Sequence, residues 1–277
     1  MLKQRVITAV VLLALLLPAM AAQDGRWFEA LTLLMMAAGA WEWSRLQGGS
    51  PWLARLSGVV LGLLLAASRW RGQSEAELAF GAALAAGLWF FGVWWLLRRG
   101  LTQWQTLAQS LRLGLGWLAI ALAWLALVHL KAQGLNLLLS VLTLVWAADV
   151  AAYFGGRAFG RRKLAPQISP GKTWAGAVSG VLAVAVLGYA WVLVDARWPS
   201  DSLSIYSVLW QRSPVWWLLG GALLVAFSIL GDLVESLVKR VAGVKDSSQL
   251  LPGHGGVLDR VDALLPVLPL SVGLMLW

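Results

Sequence analysis

Residues 112–154 read RLGLGWLAIALAWLALVHLKAQGLNLLLSVLTLVWAADVAAYF. Two apolar runs, 112–130 and 135–154, flank a short polar joint, Lys131-Ala132-Gln133-Gly134. A bilayer core of roughly 30 Å takes about 20 helical residues to cross. Each run meets that length, and the joint can only turn the chain straight back. The stretch therefore predicts two antiparallel membrane helices. Near the end of the second lies a carboxylate, Asp149. Ionisable groups inside a span are costly and tend to face a cavity or a partner.

The same pattern recurs on both sides. Apolar runs at 6–22, 27–43, 53–68, 79–97, 174–194, 215–232 and 261–277 bring the expected spans to nine. Of the 277 residues, 60% are apolar and 13% charged, against about 25% charge in a soluble domain. There is no sequence repeat and no linker long enough to separate domains. The chain reads as one all-α polytopic membrane domain over 1–277, with residues 1–134 contributing only hydrophobic spans.

A net charge of +9 would suit nucleic acid if the basic residues shared one polar surface. They fall instead in short clusters between apolar runs, as topology signals and headgroup contacts do. No nucleic-acid partner is expected. With odd-numbered spans running from inside to outside, only Arg26, Arg69, Arg71, Lys131, Arg197 and Arg212 lie outside. That leaves 16 of the 22 basic residues on the cytoplasmic side, Arg98 and Arg99 among them. The bias predicts a cytoplasmic N-terminus. Lys3, Arg5, the run Val6–Leu17 and Ala19-Met20-Ala21 also fit a cleavable leader. A first span needs the same features, and the segment is read as retained.

The chain has no Cys, which excludes disulfides, thiolate metal sites and Cys nucleophiles. Two His, His129 and His254, are too few for a His-rich metal site. A metal would have to sit on oxygen ligands, which suits Mg²⁺.

Polar chemistry is concentrated in two segments, both expected on the cytoplasmic side. The first, DVAAYFGGRAFGRRKLAPQISPGKT, covers 149–173. On a helix Asp149, Tyr153 and Arg157 share a face, unless Gly155-Gly156 ends the helix first. Arg157, Arg161, Arg162, Lys163 and Lys172 follow with no acid among them, a composition that attracts phosphates. Gly171-Lys172-Thr173 resembles the end of a phosphate-binding P-loop, but Pro166 stands where the leading Gly must be, and a span rather than a strand comes before. Ser169 through Thr173 can still offer amides, a hydroxyl and an ammonium to an anion.

The second segment, GDLVESLVKRVAGVKDSSQLLPGHGGVLDRVD, covers 231–262. Asp232, Glu235, Ser236 and Lys239 form one helical stripe. Gly243 allows a break before Lys245-Asp246, and Pro252 to Gly256 form a flexible turn around His254. Asp259, Arg260 and Asp262 follow. Taken singly, these residues could be a solvated ion-pair face and a chain reversal. Together they place five carboxylates and four basic residues within about thirty positions of a charge-poor chain. Mixed signs are what a polyphosphate–metal site needs.

Ser236 to Asp262 resembles the signature of the phosphatidate cytidylyltransferases: Ser-x-x-Lys-Arg, then Lys-Asp, His-Gly-Gly and Asp-Arg-x-Asp. The stretches 149–157 and 163–173 are also similar, so the likeness is concentrated in 135–277. Gly171 departs from it, since many members have a second Lys there. The resemblance implies transfer of CMP from CTP to phosphatidic acid with Mg²⁺, by a homodimer in a bilayer, with a funnel open to cytoplasm and lipid. It also implies a bacterial inner membrane with the site facing the cytoplasm. Asp232 and Asp259 would bind metal, assisted by Asp246 or Asp262, and Lys239 would neutralise charge at the phosphoryl centre. Arg240, Lys245, His254 and Arg260 would contact phosphates, alongside Ser236. Ser169, Lys172 and Thr173 would hold nucleotide or lipid phosphate, with Asp149, Tyr153 and Arg157 lining the cavity.

Two rivals fare worse. A CDP-alcohol phosphatidyltransferase would need Asp-Gly-x-x-Ala-Arg, and Asp24-Gly25-Arg26 lacks the rest. A transporter could line a pathway with Asp149, Asp232 and Asp259, but the internal repeats common in that class are missing.

Overall fold

The computed structural model describes residues 2–93 and 101–277. Residues 94–97 of the expected span 79–97, with Arg98 and Arg99, lie outside the described residues.

The hairpin at 112–154 is present. Helix α6 (Gln109–Gln133) and α7 (Leu135–Phe159) are joined by Gly134 alone. Gly134 has φ 149°, a region that favours glycine. The free amides at the start of α7 are satisfied from elsewhere: Asp201 accepts from Leu135 N at 2.5 Å and Asn136 N at 3.0 Å.

Before this hairpin come α1 (Leu2–Ala21), α2 (Arg26–Leu46), α3 (Pro51–Arg71), α4 (Glu75–Gly87) and α5 (Leu101–Thr106). A π-helical stretch, Leu88–Gly92, continues α4. After the hairpin come α8 (Trp174–Arg197), α9 (Ile205–Arg212), α10 (Pro214–Val241), α11 (Leu258–Val261) and α12 (Leu264–Leu276). Among the described residues, α1, α3, α6, α7, α8 and α10 are long and apolar enough to cross a membrane. This is an integral membrane protein built from helices. The described parts of the other three expected spans are helical but different in kind. Helix α2 carries Arg26, Glu29, Glu42 and Arg45. Helix α4 is followed by the π-helical stretch, and α12 has only 13 residues. Helix α12 is nearly all buried, packed against α4, α6 and α10.

Three local departures from the sequence reading matter for the site. Gly155-Gly156 does not end α7, which runs on to Phe159. Each helical backbone group there keeps its partner, and the glycines face α8. Helix α10 continues nine residues past the expected end at 232, so the polar stripe is helical. The loop after α7 is not wholly irregular: β1 (Lys163–Ala165) and β2 (Ser169–Thr173) pair antiparallel. Hence the chain is helical but not purely so. Thr173 ends β2 and caps α8, its hydroxyl accepting from Gly176 N at 3.1 Å.

Helices α7 and α8 make the most intimate pair. A Cβ on Gly176 would lie 2.7 Å from the Ala152 carbonyl oxygen, and one on Gly180 would lie 3.1 Å from that of Ala148. Small residues let membrane helices approach to backbone contact, and here they bring the β-hairpin against α10. Replacing Gly176 with Leu should cost about 1–3 kcal/mol by overpacking. Gly171→Ala, at a position open on every side, should change stability by less than about 0.5 kcal/mol. Unfolding of the two variants in mixed micelles, followed by tryptophan fluorescence, checks both values.

Candidate active site

Asp232, Glu235, Ser236 and Lys239 line one side of the last turns of α10. Gly231 sits at the head of that stripe. A side chain there would overlap the Asp262 carbonyl and press on Pro266. Its absence lets the start of α12 close on α10 and sets Asp262 within electrostatic reach of Asp232 and Lys172.

Lys239 is the centre of the arrangement. Its ammonium donates to Asp259 Oδ1 at 2.5 Å and also pairs with the Glu235 carboxylate. The Glu235 and Asp259 side chains are only 3% and 5% exposed. Buried charges of this kind persist only when paired and hydrogen-bonded. The second oxygen of Asp259 meets that demand: Oδ2 accepts from Ser247 N at 2.9 Å, Ser247 Oγ at 2.9 Å and Gly256 N at 2.7 Å. The loop between α10 and α11 is thus wrapped around one carboxylate. Burial alone would push the Asp259 carboxyl up. Donation by Lys239 and by the Gly256 and Ser247 amides outweighs it and holds the group at about 2.

A second pair lies at the other end of the stripe. Lys172 reaches from β2 to Asp232 Oδ2 at 2.7 Å and to the Ile229 carbonyl at 3.4 Å. Ser236 Oγ donates to Asp232 Oδ1 at 3.0 Å. Asp149, on α7, is within electrostatic reach of both Lys172 and Asp232. The two polar segments of the sequence therefore meet on α10.

The remaining expected residues are placed more loosely. Tyr153, Arg157, Arg240, Lys245, Asp246 and Arg260 are exposed. Tyr153 sets its ring edgewise on Phe154. Ser169, half-buried, opens β2. Thr173 is buried and its hydroxyl is taken by the cap of α8. His254 donates its backbone N–H to Leu251 O at 2.8 Å. Its Nδ1 is buried without a hydrogen-bond partner among the described residues.

Two helices of the half expected to supply only hydrophobic spans reach the site. On α1, Thr8 Oγ1 donates to the Pro252 carbonyl at 2.8 Å, and Arg5 packs on Gly253. On α2, the buried Glu42 carboxylate receives bonds from the Asp259 loop. A carboxylate inside an apolar run was the signal that singled out Asp149, and it applied equally to Glu42.

Comparison with known proteins decides the family. Residues 3–276 match the cytidylyltransferase family. The chain belongs to that family. A Pseudomonas aeruginosa protein named phosphatidate cytidylyltransferase is 40% identical over 99% of this chain and 97% of its own length. A Brucella suis protein of the same name is 35% identical over 95% of this chain and 89% of its own. One from Haemophilus influenzae is 48% identical over 51% of this chain and 46% of its own. The match to the cytidylyltransferase family spans both halves, including α1 and α2, which reach the site from outside the signature.

Among the described residues, no three acidic or His side chains converge closely enough to form a ready metal cage. The donor set nevertheless fits a hard cation. Its ligand atoms are the carboxylate oxygens of Asp149, Asp232, Glu235, Asp259 and Asp262, and oxygen is the donor that Mg²⁺ takes.

Because Asp259 is held at about 2, below its ordinary 3.8, its carboxylate stabilises the fold above roughly pH 4. That contribution fades as pH falls through 2. The stability gap between wild-type protein and Asp259→Asn should shrink as pH falls below about 4. Unfolding midpoints across that range measure it.

Proposed function

We propose that the protein transfers the cytidylyl group of CTP to phosphatidic acid, giving CDP-diacylglycerol and pyrophosphate. The observation that carries this reading is the meeting of two lysine–carboxylate pairs, Lys172–Asp232 and Lys239–Asp259, on one stripe of α10. The full-length likeness to proteins named phosphatidate cytidylyltransferase supports the choice of substrates.

A phosphate oxygen of phosphatidic acid attacks the α-phosphorus of CTP. A new P–O bond forms, the bond to the bridging oxygen of the β-phosphate breaks, and pyrophosphate leaves with the electron pair. No covalent enzyme intermediate is needed, so positioning and charge neutralisation carry the catalysis. Lys239 and Lys172 offset charge on the phosphates. Arg240 at the end of α10, Lys245 and His254 in the loop after it, and Arg260 on α11 contact phosphate, and Ser169 does so from β2. Thr173 contributes by fixing β2 to α8, and Ser236 by orienting Asp232. Asp149, Tyr153 and Arg157 line the approach. Asp232 and Asp259, with Asp246 or Asp262, would hold Mg²⁺. When bound, that ion supplies charge neutralisation and polarisation at the triphosphate.

The same reading places nine spans in a bacterial inner membrane, with a cytoplasmic N-terminus, a cytoplasmic site and a homodimeric assembly. Its support is the excess of basic residues on one side and the sorting of polar contacts between helix ends. Arg5 and Thr8 of α1, Glu42 of α2 and the loop after α10 meet at one end. Glu29 and Arg69 meet at the other, as do Asp201 and Leu135.

Purified protein in detergent, given labelled CTP and phosphatidic acid, should form CDP-diacylglycerol only with Mg²⁺. Asp259→Asn should lower turnover by about 100-fold or more while remaining folded. Absence of lipid product from well-folded wild-type protein, across several lipids and nucleotides, would sink the reading.

A further inference from the structure

Glu42 lies on α2, about 200 residues from the signature, and its side chain is completely buried (0% exposed). Among the described residues, every hydrogen bond its carboxylate accepts comes from the stretch that holds Asp259, Ser247 to Leu258. Oε1 accepts from Ser248 Oγ at 2.5 Å and Val257 N at 3.0 Å. Oε2 accepts from Leu258 N at 2.8 Å and lies 3.2 Å from Ser247 Oγ. Those donors bracket residues 247–258 of the loop. Ser247 is itself among them and Gly256 adjoins Val257, and both donate to Asp259.

Both oxygens of Glu42 face donors, which is the pattern of an ionised carboxylate, an acceptor only. A neutral amide has one acceptor atom and would turn an N–H group towards two of these donors. Ser247 ties the two carboxylates together. Its hydroxyl has a single proton, yet it stands 3.2 Å from Glu42 Oε2 and 2.9 Å from Asp259 Oδ2. The proton serves one carboxylate at a time. With Oε2 of Glu42 already satisfied by Leu258 N, the hydroxyl is free to donate to Asp259.

We propose that Glu42 is a positioning residue for nucleotidyl transfer: it clamps the loop so that Ser247 and Gly256 hold Asp259 against Lys239. The proposal rests on the function given above and adds to it a requirement for α2. Residues that orient a functional carboxylate from behind typically contribute about 10–100-fold in activity. Glu42 should act on turnover more than on nucleotide capture, because its donors are Ser247, Ser248, Val257 and Leu258, beside the groups that hold Asp259, and none is Lys245 or His254.

The test compares wild-type protein with Glu42→Gln, Ser247→Ala and the double variant. Initial rates of CDP-diacylglycerol formation are measured at a temperature where tryptophan fluorescence shows all four folded. Glu42→Gln should lower kcat by about 10-fold or more and change KM for CTP by less than about 3-fold. The double variant should fall no more than about 3-fold below the worse single one, as coupled residues do. Wild-type kcat in Glu42→Gln would overturn the proposal, and so would losses that simply multiply in the double variant. Wild-type protein without any activity would instead overturn the functional reading beneath it. If Glu42→Gln does not fold, Glu42→Asp takes its place. It keeps both acceptor oxygens one methylene short of the loop, and wild-type kcat there overturns the proposal equally.

Discussion

One ammonium group, that of Lys239, stands between two buried carboxylates. Without it Asp259 would be a buried carboxylate beside Glu235 with no cation to pair it, which is costly. With it, Asp259 becomes a fixed point around which Ser247 and Gly256 close. Helix α1 meets the tip of that closed loop at Pro252 and Gly253, and Glu42 of α2 holds it at Ser247–Ser248 and Val257–Leu258. The geometry of the site thus depends on an ion pair that a bilayer protein can hold only where several donors converge.

Most of the helical plan was legible from hydrophobic runs alone. The α6–α7 hairpin follows directly from run length and the Lys131–Gly134 joint. So does the stripe on α10, because its four polar residues share a helical face. Gly155-Gly156 gave a misleading signal. Glycine weakens a helix in water, but in α7 it serves close packing, and no local rule distinguishes the two uses. The β-hairpin at 163–173 was hidden for a related reason. Its strands are three and five residues long and are held by tertiary neighbours rather than by strand propensity.

The site was legible as a set of residues, less so as an arrangement. Lys239 and Asp259 are paired, while Asp232, one of the residues expected beside them, is paired with Lys172 and Ser236 instead. The pairing of Lys172 with Asp232 joins segments sixty residues apart, which spacing alone does not reveal. Thr173 was read as a phosphate contact because of its neighbours, whereas its hydroxyl is occupied as a helix cap. Glu42 was passed over because an apolar run around it satisfied the criterion for a span. Its importance depends on partners that only the folded chain brings near.

The separation between Glu42 and its donors has a consequence for how the chain is made. Its partners follow it by 205 to 216 residues. At roughly 5–20 residues per second, about 10 to 40 s pass before they emerge. During that interval α2 carries a carboxylate with none of its native donors, next to a membrane that accepts such a group poorly. Until residues 247–258 have emerged, that group stays hydrated or takes up a proton. The loop around Asp259 is thus completed by a side chain made long before it.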